Sequence, residues 1–62
     1  MNDRESPGIG QVFADAKPPR REWRIVRRHG GTFALERTDK PNVSRFVDAA
    51  ALDDLNRYRR IR

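Results

Sequence analysis

The sequence predicts a mainly β fold: four or five short antiparallel strands with one short helix near the C-terminus. Three observations carry that expectation. His29-Gly30-Gly31 separates two β-prone runs, Pro, Gly and Asn punctuate the other short apolar segments, and after Asp48 the pattern changes to an alanine-rich stretch. Two arrangements satisfy these signals, a small antiparallel barrel or an open antiparallel sheet packed by the C-terminal helix. Closure removes unpaired strand edges, so the barrel is the arrangement expected here.

The 62 residues allow one domain, because a chain this short buries only about 60% of its unfolded surface and supports a single thin core. Residues 1–8 combine Asn, Asp, Arg, Glu and Ser with Pro7-Gly8, lack apolar periodicity and read as a disordered tail before a domain over 9–62. Val12 and Phe13 mark the first strand, over Gly10 to Asp15. Lys17-Pro18-Pro19 then enforces an extended connection, since proline fixes φ and restricts its predecessor.

Glu22 to Arg28 and Thr32 to Thr38 form the hairpin. A two-residue Gly30-Gly31 loop would place Val26 opposite Leu35 and Ile25 opposite Glu36, wasting both faces. A three-residue His29-Gly30-Gly31 loop with Gly31 left-handed pairs Ile25 with Leu35, Arg24 with Glu36 and Arg27 with Phe33. Trp23, Ile25, Phe33 and Leu35 then share one face, so this register is expected. In it Arg24 and Arg28 project away from Trp23, and Arg27 lies at the hairpin end beside Phe33.

Asp39-Lys40-Pro41-Asn42 is a turn by composition, and Val43 to Val47 is a further strand with Phe46 or Val47 facing inward. Asp48 suits the cap of a helix through Ala49, Ala50, Ala51 and Leu52, with Asp53 and Asp54 placed to complement its dipole. Two endings are open. The helix either continues to about Arg59, with Val47, Ala51, Leu55 and Tyr58 as an apolar stripe, or stops near Asp54 or Asn56 and returns Tyr58 to Ile61 as a strand.

The order of features resembles SH3-like small barrels of bacterial and phage proteins. The residues carrying the resemblance are Gly10, Val12, Phe13 and Asp15, then Trp23, Ile25 and Val26, then Phe33, Leu35 and Arg37. Arg45, Phe46 and Val47 precede Leu52 and Leu55, and Arg57-Tyr58-Arg59 with Ile61 closes the chain. The resemblance implies a barrel over about residues 9–62 and transfers no functional residue, because such barrels serve nucleic acids, peptides and protein partners alike.

Charge gives the functional lead. Net charge is +5, but residues 1–19 sum to −1 and residues 20–62 to +6, and twelve of the fourteen cations are Arg. Arg20, Arg21, Arg24, Arg27 and Arg28 form one group, Arg57, Arg59, Arg60 and Arg62 another. A guanidinium offers a planar fork of donors that matches phosphate and stacks on rings. Tyr58, between Arg57 and Arg59, and Phe13 are the candidates for stacking on bases, whereas Trp23 and Phe33 belong to the core.

Other chemistry finds little footing in these residues. There is no cysteine, a single histidine placed in a turn, no nucleophile with a marked partner, and no ligand spacing beyond the adjacent Asp53 and Asp54, so no enzyme, cofactor or metal is expected. Gly8-x-Gly10 lacks the third glycine of a dinucleotide fingerprint. The apolar runs are too short for a membrane span and the start lacks a secretory pattern, which predicts a cytoplasmic protein. The expected function is nonenzymatic binding of DNA or RNA through Arg–phosphate contacts with little sequence preference. The competing expectation is a protein-interaction module that presents a sheet edge or groove and a basic surface to an acidic partner, or to a second copy of the chain in a homodimer.

Overall fold

The computed structural model describes residues 8–61, so residues 1–7 of the tail assigned above, and Arg62, lie outside the described residues. The strands are β1 (Val12–Asp15), β2 (Glu22–His29), β3 (Thr32–Arg37), β4 (Ser44–Asp48) and β5 (Tyr58–Arg60), with helix α1 (Ala49–Leu52) between the last two. They form one antiparallel sheet in the order β4-β3-β2-β1-β5. The sheet is not closed: β4 and β5 are its edges, so the barrel expectation gives way to the alternative of a sheet packed by a helix. The physical reason is length. A three-residue β5 pairs only with β1, and the residues between β4 and β5 are spent covering the core.

The hairpin differs from expectation in one instructive way. Ile25 pairs with Leu35 and Arg24 with Glu36, as the sequence predicts, but Arg27 pairs with Ala34 and Arg28 with Phe33. The loop is the two-residue Gly30-Gly31 after all, and the extra residue sits inside the strand, at a bulge between Ile25 and Arg27 that leaves Val26 unopposed. Gly30, not Gly31, takes positive φ, at 62°, and positive φ at the first central residue alone is the type II′ pattern, whose twist matches that of the flanking strands. The bulge thus reconciles the tight turn with the inward placement of Ile25 and Leu35.

The main core cluster lies on one face, while Val12, opposite Arg24, is buried on the other. Phe13, Trp23, Ile25, Phe33, Leu35, Leu52 and Tyr58 form a continuous buried cluster, with Val43, Val47 and Ala51 packed against it. Val47 rather than Phe46 faces in, which settles the period-two ambiguity of β4. Asp48 caps α1 as expected, its Oδ1 accepting a 2.8 Å bond from the Ala51 N–H.

The helix is a single turn. Asp53 is its C-cap, so Asp53 and Asp54 complement no helix N-terminus; Asp54 instead organises the next turn, accepting from Asn56 N through Oδ1 and from the N–H groups of Arg57 and Tyr58 through its carbonyl. Of the two endings the sequence allows, the structure takes the short helix followed by a strand, and Leu55 of the would-be stripe is exposed. The chain from α1 to β5 crosses from one sheet edge to the other, and Leu52 and Tyr58 close the core beneath it.

The turn generates a direct test. No atom lies within 4 Å of where a Cβ would stand on either Gly30 or Gly31, so only backbone conformation separates them. Gly30→Ala is expected to cost about 1 kcal/mol, because an L-residue resists positive φ, and Gly31→Ala to cost less. Urea denaturation of the two variants measures the difference.

Candidate functional site

Strand β1 is the strut that brings the two arginine groups together. It lies between β2 and β5, pairing Ala14 with Glu22 on one side and with Arg59 on the other. Its exit leads through Lys17-Pro18-Pro19 to Arg20 and Arg21, and this loop folds back so that Asp15 N–H donates to the Arg21 carbonyl and Ala16 N–H to the Arg57 carbonyl. Segments remote in sequence therefore meet at one end of the sheet. Arg21 and Arg57 line a shared open cleft of about 620 Å³ with Lys17, Pro18, Asn56 and Tyr58, and Arg20 and Arg59 line a second hollow beside Ala14 and Ala16.

The arginines divide by what holds them. Arg37 is committed, since it donates from Nε and Nη2 to both oxygens of Asp39 at 3.1 and 2.8 Å. Those bonds hold the Asp39 carboxyl below the usual aspartate value, with the nearby charges of Arg37 and Lys40 adding to the effect. Arg57 has one loose partner, with its Nε 3.6 Å from an Asp54 oxygen. Among the described residues, Arg20, Arg21, Arg24, Arg27, Arg28, Arg59 and Arg60 form no ion pair with a carboxylate.

The sequence-predicted residues do not all converge. Arg20, Arg21, Arg57 and Arg59 meet around β1. Arg24 stands on the same sheet face as Arg59, offset by two strands and two residues, about 12 Å between Cα atoms at ordinary sheet spacings. Arg60 leans the other way, its guanidinium 5.6 Å from the Phe13 ring centroid. Arg27 and Arg28 sit at the far end of the hairpin. The bulge also overturns their expected facing: Arg24 and Arg27 share the outer face, and Arg28 stands beside Phe33.

The rings proposed for base stacking are not available. Phe13 is 3% and Tyr58 5% exposed, both spent on the small core. The exposed ring is Phe46, at 73%. The sequence leaves its facing open against Val47, and the same period-two rule that turns Val47 inward turns Phe46 outward.

Arg45 is the residue that sequence reasoning misses. Its guanidinium lies 4.1 Å from the Trp23 ring centroid, Nη1 donates a 2.8 Å bond to the Tyr58 hydroxyl, and Asp15 Oδ1 stands 3.7 Å away. Arg45 belongs to edge strand β4, while Tyr58 lies on the opposite edge, β5, next to Asp15 of β1. It therefore spans the open side of the sheet and forms the inner wall of the basic cleft. The signal that could have located it is its position two residues before the inward Val47. Beneath it the Trp23 Nε1 is buried without a partner, the one such side-chain nitrogen or oxygen among the described residues.

Comparison with protein-family models, with curated proteins and with solved structures returns no match for this chain. No helix among the described residues is long and apolar enough to cross a membrane, and no group of three or more His, Asp or Glu there could hold a metal ion.

The Arg45 contacts make a stability prediction. Arg45→Ala is expected to lower stability by roughly 1–2 kcal/mol, the combined scale of a partly exposed cation–π contact and one charged hydrogen bond. Tyr58→Phe removes only the hydroxyl and is expected to cost about half as much. The two losses are expected to be less than additive in a double-mutant cycle measured by chemical denaturation, because both variants remove the same bond.

Proposed function

We propose that this protein is a nonenzymatic, cytoplasmic nucleic-acid-binding domain that contacts phosphates with little sequence preference. The observation that carries the reading is the pairing of sequence-remote arginines across β1, Arg21 with Arg57 in one hollow and Arg20 with Arg59 in the next. Three of these four lack a carboxylate partner among the described residues, and Arg57 has one loose ion pair, so their donors are available. Lys17 adds a fifth cation at the cleft.

Two hollows on either side of one short strand suit consecutive phosphates of a backbone better than a single compact anion. Arg45, held on Trp23 and Tyr58, supplies a fixed wall on the cleft that Arg21, Arg57 and Lys17 also line. Nothing in this arrangement reads base edges, since no helix long enough for a groove is present among the described residues. Backbone contacts alone support affinity that is modest and steeply salt-dependent.

Fluorescence anisotropy with short mixed-sequence oligonucleotides at increasing salt tests the proposal. Four phosphate contacts are expected to give a slope of log K against log salt of about −3.6 on duplex and about −2.8 on single strands. Arg21→Gln and Arg59→Gln are each expected to reduce that slope by about one contact, uniformly across sequences. Absence of binding at low salt, together with capture of an acidic protein through the open β4 or β5 edge, would replace this reading with a protein-interaction module.

A further inference from the structure

The exposed Phe46 belongs to a second feature, at the opposite end of the sheet from the basic cleft. On the outer face one cross-strand row runs Arg27, Ala34, Phe46 across β2, β3 and β4. The neighbouring row toward the hairpin tip runs His29, Thr32, Asp48. The small Ala34 side chain between two large neighbours leaves a concavity of about 410 Å³, lined by Arg27, His29, Thr32, Ala34 and Phe46.

The dimensions and chemistry of this slot are specific. Arg27 and Phe46 stand two strand spacings apart, about 9.5 Å between backbones, with a methyl group as the floor. A planar ring stacked between two other planes needs about 7 Å between them, so one heteroaromatic ring fits with a guanidinium above and a phenyl below. Thr32 and His29 lie along the slot with a hydroxyl and an imidazole able to meet polar edge atoms. In that second row Asp48 Oδ1 accepts from the Ala51 N–H. Arg27 has no carboxylate partner among the described residues, which favours an anionic ligand over a cationic one.

We propose that the Arg27–Ala34–Phe46 slot takes a single unstacked base of a single-stranded nucleic acid. The inference rests on the phosphate-binding reading above and narrows it, because a base inside a duplex presents no free face to stack. Single strands are therefore preferred over duplex, and binding tolerates any base, since each has a π-face.

The test separates the two claims. Single-stranded and duplex oligonucleotides of equal length are titrated against the whole chain and against Phe46→Ala and Ala34→Leu, with sedimentation recorded for each variant. Ala34→Leu fills the slot while removing neither the ring nor a charge, and Phe46 is exposed enough that truncation leaves the core untouched; a thermal melt verifies both folds. Both variants are expected to weaken single-strand binding about tenfold and to leave duplex affinity and the salt slope unchanged. Single-strand binding that persists at wild-type strength in both variants overturns the slot and spares the phosphate reading. Loss of single-strand and duplex binding in equal measure also overturns it, as does a concentration-dependent wild-type dimer that Phe46→Ala dissociates, which would make the face an interface between copies. Failure of every oligonucleotide to bind the wild type removes the phosphate reading itself and the slot with it.

Discussion

The structure depends on what holds together the two edges of an open sheet. Between β4 and β5 there is no ladder, only the short cover from α1 to Tyr58 and the guanidinium of Arg45 reaching across Trp23 to the Tyr58 hydroxyl. A domain of this size has a net stability of only about 3–9 kcal/mol. A clasp of roughly 1–2 kcal/mol is therefore a substantial share of what keeps the core covered. Its chemistry fits its position: an apolar residue would cover Trp23 but leave the hydroxyl unmet, and a lysine would supply charge without a plane to lie on the indole.

The same clasp sorts the charges. Twelve arginines on so short a chain can serve solubility, structure or binding, and the geometry separates these roles. Arg37 is fixed to Asp39 and Arg45 to Trp23 and Tyr58, and Arg45 also walls the basic cleft. Those around β1 are gathered because that strand is paired on both sides, so the loop from β1 into β2 and the turn entering β5 are forced into proximity. Convergence is thus a property of strand order. With β5 on the other edge, beside β4, the C-terminal arginines would have stood across the sheet from Arg20 and Arg21.

How much of this was legible follows from which facts are local. The first four strands, the place of the hairpin turn, the Asp48 cap and the pairing of Ile25 with Leu35 each rest on neighbouring residues and could be read directly, whereas the length of the turn and the glycine that takes positive φ could not. The bulge at Val26 could not, because testing loop lengths assumes unbroken ladders, and the structure relieves the parity conflict within the strand instead. Edge closure was argued from a general preference, whereas a strand as short as β5 has too few groups to pair twice. An arginine in a strand reads as solvent-facing, and the sequence leaves open whether Phe46 or Val47 faces in; the inward Val47 turns Arg45 toward the core and Phe46 to solvent.

The bulge has a further consequence for the outer face. Residues three apart on a regular strand point to opposite sides, so without the unopposed Val26 either Arg24 or Arg27 would have to face the core. With it, both stand on the outer face, and Ile25 and Leu35 keep their inward pairing. Arg27 then joins Ala34 and Phe46 in one row, and Arg24 joins the face that carries Arg59. Drawing Val26 into a regular ladder would cost more than a local kink: it would pair Val26 with Ala34, shift every residue from Arg27 to His29 by one partner, and place Phe33 opposite Arg27. The irregularity in β2 is therefore what allows an apolar cluster and an arginine-bearing surface to be built from the same eight residues.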